Sequence, residues 1–105
     1  MIYVTLLGGL GNCLFQIANG ISLSLDNGVN VFFSLKTSSN RKNYYDSIFR
    51  NLPRIEEPKG NVSKEKYFTY HKIKYHYGIK LYGYYQSEKY FINHKEHIIN
   101  YFKEL

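Results

Sequence analysis

Gly8-Gly9-Leu10-Gly11-Asn12 have the residue types and spacing to hold an anion. They follow an apolar run, residues 2–7, and precede a helix-like stretch, residues 13–27. A strand that runs through a glycine-rich turn into a helix presents bare backbone N–H groups, and the helix start adds about half a positive charge. A phosphate is the ligand that suits such a corner. Asn12 has two roles open to it: an amide donor toward a bound anion, or the N-cap of the helix. No lysine stands where a P-loop would carry one, and no Ser-His-Asp arrangement occurs.

Other reactive residues are less organised. His94 and His97 stand three apart beside Glu96, a spacing that can hold zinc. No third ligand completes a set and lysines surround the pair, so a solvated helix face is the plainer reading. No metal site is therefore expected. His71 and His76 read as structural. Asp46, Glu56 and Glu57 remain as carboxylates that could serve a base, with nothing to single one out. The lone cysteine, Cys13, excludes an internal disulfide and reads as a small packing residue.

The elements that must position the corner follow from periodicity. Residues 2–7 read as a buried parallel strand. Leu14, Ile17, Ala18, Ile21 and Leu25 fall at helical spacing, and Asn27-Gly28 suits a left-handed helix end. Residues 29–35 form a second strand, closing a β-α-β unit. Residues 36–43 read as a loop, 44–52 as a short helix stopped by Pro53, and 54–63 as a further loop. An edge strand is expected within 67–73 and a better one at 79–85, with Gly83 allowing a bulge. Ser87 can cap a last helix over 88–105, striped by Phe91, Lys95, Ile98, Phe102 and Leu105.

Composition sets the outer bounds. One domain fits in 105 residues, and 44% apolar content argues against disorder. The net charge of +6 thickens over 50–80, where lysines interleave with tyrosines. That pattern suits stacking on single-stranded nucleic acid, but also a lysine-guarded sheet edge, which is the plainer account. No signal peptide or membrane-length run is evident, so the chain reads as soluble and cytoplasmic.

Two islands carry a family resemblance. Gly8-Gly9-Leu10-Gly11-Asn12-Cys13-Leu14-Phe15-Gln16-Ile17-Ala18-Asn19-Gly20 resembles the GGLGNQ-(L/M)-FQ-(Y/I)-A signature of the α-1,2-fucosyltransferases of glycosyltransferase family 11. Leu81-Tyr82-Gly83-Tyr84-Tyr85-Gln86-Ser87-Glu88-Lys89-Tyr90-Phe91 resembles that family's G-(Y/F)-(Y/F)-Q-S-x-K-Y-F segment. Residues 44–52 fit the short helix between them.

The resemblance implies an α/β chain: a Rossmann-like open, mostly parallel sheet with flanking helices, the N-terminal lobe of a GT-B-like glycosyltransferase. It implies transfer of L-fucose from GDP-fucose to a galactose-type 2-hydroxyl, without a metal or other cofactor. On that analogy Gly9, Gly11 and Asn12 face the donor, with Asn12 as the polar, catalytic contact. Gln86, Ser87 and Glu88 are the acceptor-side candidates, with Lys89 beside them. Helix initiation and a surface ion pair are the plainer roles for that group.

The chain departs from the pattern in two places. Cys13 stands where the family carries glutamine. No His-x-Arg occurs, so the family's arginine, which neutralises the departing diphosphate, has no counterpart. The expectation is a single domain over 1–105 that supplies one part of a longer catalytic domain, with a C-terminal half elsewhere. A different class stays open: a non-catalytic module for a glycan, a protein partner or, less readily, nucleic acid.

Overall fold

In the computed structural model, residues 1–35, 50–55, 62–64 and 70–104 are described. Strand β1 (Ile2–Leu6) leads into helix α1 (Leu10–Asn27) and strand β2 (Val31–Leu35). Two further strands follow, β3 (Val62–Lys64) and β4 (Ile79–Tyr82). Two 3₁₀ turns, Glu88–Tyr90 and Ile92–His94, then precede helix α2 (Lys95–Glu104). The four strands form one sheet in the order β2-β1-β4-β3, and every pairing is parallel. This is an open α/β sheet of the kind the apolar runs predict.

Parallel register puts one set of side chains on one face. Ile2 lies beside Val31 and Ile79, and Val4 beside Phe33 and Leu81. These residues meet α1, whose Cys13, Ile17, Ala18 and Ile21 are buried with them. Burying a side chain of isoleucine size stabilises by about 1.5–3 kcal/mol. The helix lies close because of Gly20, where an added Cβ would fall 2.7 Å from the Val4 side chain. Cys13 is fully buried, its Sγ 3.7 Å from the Leu7 carbonyl oxygen, as its packing role requires. From α2, Ile98 joins the same core.

Several boundaries differ from the sequence reading. The turn after β1 is shorter than expected, so α1 begins at Leu10 and its N-cap is Gly9, not Asn12. The helix does end on Gly28, in the left-handed conformation at φ 61°, its N–H donating to the Ser24 carbonyl. β2 starts two residues later than expected and β4 stops at Tyr82, before Gly83.

The edge strand is Val62–Lys64, at the end of the loop expected over 54–63, while of the edge strand expected within 67–73 the described part, Tyr70–Ile73, has no regular structure. Arg54 forms a parallel bridge with Phe33, which covers the outer edge of β2. The last helix is not continuous from residue 88. Among the described residues of its apolar stripe only Ile98 is buried, and Lys95 is exposed. The loop 36–43 and most of the helix expected at 44–52 lie outside the described residues, as do Asp46, Glu56 and Glu57.

Candidate functional site

The glycine corner is built by one side chain the sequence reading passed over. Gln16, fully buried, reaches back two turns to the residue that leaves β1. Its Oε1 accepts from Leu7 N–H at 2.8 Å, and its Nε2 donates to the Leu7 carbonyl at 3.2 Å. A primary amide can satisfy both backbone groups of one residue at once, which pins the strand exit to the helix. Helical periodicity carried no signal for it, because Gln16 lies opposite the stripe of Leu14, Ile17, Ala18, Ile21 and Leu25, between Asn12 and Gly20.

Of the three glycines in the corner, Gly8 is the one whose conformation demands the residue type. Its φ is +78°, and an added Cβ would lie 2.7 Å from Asn12 Nδ2 and 3.2 Å from the Tyr84 ring. Gly9 is extended (φ −77°, ψ 179°), a conformation any residue adopts. Gly11 is exposed, and an added Cβ there would meet nothing within 4 Å. Gly11 thus keeps the helix start bare, while Gly8 makes the turn.

No side chain caps α1, and its first turn carries no acidic residue. The amides of Leu10, Gly11 and Asn12 have no hydrogen-bond partner among the described residues. Orphan amides at the positive end of a helix attract an anion.

Asn12 and Gln86 meet across this corner. Gln86 Nε2 donates to Asn12 Oδ1, joining residues 74 apart in sequence. The contact lies where the chain leaves β1 and β4, the two central strands, and ligands of open α/β sheets gather beyond such strand ends. Tyr85 aims Gln86. It is buried with its backbone in the left-handed region at φ 51°, and its ring stands edge-on to Tyr90 at 5.3 Å. A non-glycine residue held there costs on the order of 1–3 kcal/mol and persists only where packing enforces it.

The other acceptor-side candidates are engaged elsewhere. Ser87 Oγ accepts from Lys89 N–H at 3.3 Å, capping the first 3₁₀ turn as its sequence position suggests. Glu88 pairs with Lys95 at 2.6 Å rather than with its neighbour Lys89. Phe91 is half-buried and packs on Phe15, ring centroids 6.2 Å apart.

His94 pairs with Asp26 at 2.6 Å instead of with His97. Among the described residues no group of three or more His, Cys, Asp or Glu could hold a metal ion. His71 and His76 are exposed. No helix among the described residues is long and apolar enough to cross a membrane.

One buried polar group stands out on α1. Asn19 is 2% exposed, and its Nδ2 has no hydrogen-bond partner among the described residues. Leaving such a donor unpaired costs about 1–3 kcal/mol. Comparison with protein-family models, curated proteins and solved structures found no match.

Proposed function

We propose that the corner formed by Gly8–Asn12 and Gln86 receives the diphosphate of a sugar nucleotide, in the manner of an α-1,2-fucosyltransferase donor site. The observation that carries this reading is the Asn12–Gln86 hydrogen bond. It brings together the two islands that resemble glycosyltransferase family 11, at a helix start whose amides are open.

In this reading the amides of Leu10, Gly11 and Asn12 take phosphate oxygens, and Gly11 leaves room for them. Asn12 Nδ2, lying over Gly8, donates to a phosphate or sugar oxygen. Gln86 holds the Asn12 amide in the orientation that exposes that nitrogen. Ser87 and Glu88 organise the segment behind Gln86. The donor is GDP-fucose and the acceptor a galactose-type 2-hydroxyl, with the Rossmann-like sheet as one lobe of a GT-B-like enzyme.

Departure of a nucleoside diphosphate requires charge stabilisation in the transition state, and losing one such group costs about 10²–10³ in rate. The 105 residues contain no His-x-Arg to supply it. The chain alone therefore binds GDP-fucose without robust turnover, and a second lobe completes the site.

Calorimetric titration with GDP and GDP-fucose tests the binding, and a transfer assay with a galactoside tests the turnover. Absence of GDP binding at millimolar concentration removes the donor-site reading. Fast transfer by this chain alone removes the claim of incompleteness.

A second reading rests on Tyr77, 80% exposed, beside the exposed Lys74 and Lys72. Such a platform stacks bases and draws phosphates, as a nucleic-acid module does. Oligonucleotide binding that weakens steeply with salt and ignores Asn12→Ala would favour it over the donor site.

A further inference from the structure

The segment that leaves β4 brings an aromatic ring to the glycine corner as well as an amide. Tyr85 is buried, while its neighbours Tyr84 and Gln86 are both exposed. Gln86 meets Asn12, and Tyr84 lies against Gly8, where an added Cβ would fall 3.2 Å from its ring. Glycine at position 8 therefore serves a second purpose beyond its positive φ, since it lets a tyrosine ring close on the turn. The ring remains 38% exposed.

Asn12 Nδ2 stands beside the same spot, 2.7 Å from where a Gly8 Cβ would be. The Asn12 Oδ1 is taken by Gln86, whereas Asn12 Nδ2 and Gln86 Oε1 have no hydrogen-bond partner among the described residues. Among those residues, Asn19 Nδ2 is the unpaired side-chain polar atom shut off from solvent, so Asn12 Nδ2 is open to it. One donor and one acceptor thus flank an open aromatic ring.

This set has a chemical preference. Neighbouring hydroxyls of a sugar use a donor and an acceptor together, and the C–H face of a pyranose packs on an aromatic ring. A phosphate uses donors only and gains nothing from the ring. Position separates sugar from base. In a sugar nucleotide the pyranose hangs directly from the outer phosphate, whereas the base stands a ribose away from the inner one. A ring in contact with the turn that feeds the amides of Leu10, Gly11 and Asn12 lies within reach of the pyranose.

We infer that Tyr84 is the donor-sugar wall of this site. Its ring packs on the C–H face of the pyranose of a sugar nucleotide, and Asn12 Nδ2 and Gln86 Oε1 take sugar hydroxyls. This role rests on the diphosphate position proposed above, at the start of α1. It adds a property that position alone does not have: the corner distinguishes a sugar nucleotide from the bare nucleotide.

The test is calorimetric titration of the full chain with GDP-fucose, GDP and inorganic pyrophosphate. GDP-fucose should bind about threefold to tenfold more tightly than GDP. Tyr84→Ala should bind the two equally, with its affinity for GDP unchanged, and Tyr84→Phe should keep the preference. NMR saturation transfer from the aromatic protons of the unsubstituted chain should reach the fucosyl C–H and methyl protons more strongly than the guanine ring proton. That measurement requires no variant to fold, and the reverse order overturns the proposal. If GDP binds but GDP-fucose binds no more tightly, or if Tyr84→Ala weakens both by the same factor, Tyr84 has no sugar role and the diphosphate site stands without it. If Tyr84→Ala weakens GDP and spares pyrophosphate, the ring stacks on the base and the proposal is overturned. If neither nucleotide binds, the diphosphate site and the sugar wall fall together.

Discussion

Two stretches of α1 treat their side-chain amides in opposite ways. Near the glycine turn, Gln16 fills both hydrogen-bonding groups of Leu7, and Asn12 meets Gln86. Two turns beyond Asn12, Asn19 is as deeply buried and its nitrogen is unmatched among the described residues. A matched buried amide fixes geometry, and an unmatched one weakens the fold unless something else takes the bond. The first stretch thus serves as scaffold for a corner whose backbone amides face outward. The second keeps a buried donor unmatched among the described residues.

Substitution at Gln16 should have the largest effect. Gln16→Met keeps the length of the side chain and strands both Leu7 groups, so stability should fall by about 2–4 kcal/mol in denaturant unfolding. A loss under about 0.5 kcal/mol would mean water replaces the amide readily and the scaffold role is wrong.

Asn12→Ala should act on ligand rather than on fold. GDP binding should weaken about tenfold, or about 1.4 kcal/mol, with unfolding changed by less than that. A double-mutant cycle with Gln86→Ala should show coupling in GDP affinity, because Gln86 acts through Asn12. Additive effects would separate the two residues and dissolve the corner as a unit.

Asn19→Leu keeps the branching and atom count while removing the orphan nitrogen. Stability should hold or rise by up to about 1 kcal/mol, the reverse of Gln16→Met. A clear loss would show that Asn19 already has a partner and would erase the contrast between the two stretches.

The smallest effect belongs to Tyr101 on α2, whose phenol is raised above 10.0 because burial disfavours its charged form. In the window between the ordinary and raised values the folded state binds more protons than the unfolded one, so stability falls as pH rises through it. Tyr101→Phe should remove that share of the alkaline loss above pH 10 and leave the neutral-pH curve shape unchanged.

The corner was legible because its signals are local. An apolar run, paired glycines and apolar residues at 3.6 spacing specify strand, turn and helix without distant contacts. The helix end at Gly28 was readable for the same reason, since only glycine takes the left-handed cap freely. The N-terminal boundary differs because an asparagine after glycines reads as an N-cap, whereas Asn12 lies inside the first turn of α1. Gly9 serves as the N-cap, and the Asn12 side chain is drawn to Gln86 instead of capping.

β3 was missed because three residues with a polar middle carry little periodicity. The break in the last helix is likewise invisible locally. Ser87 and Glu88 read as a helix start, yet the segment bends as two 3₁₀ turns along α1, with Phe91 on Phe15 and His94 on Asp26.

Sequence by itself determined the β-α-β unit and the candidate anion-binding helix start, whereas the need for glycine falls on Gly8 and not on the Gly9 and Gly11 it singled out. The unit and the helix start each depend on residues within about one helical length of one another. Tertiary structure alone decided that Gln86 reaches Asn12, that His94 pairs with Asp26, and that Asn19 is buried without a partner among the described residues. Those outcomes depend on how the chain leaving β4 lies against α1, and no local propensity encodes the position of one element against another.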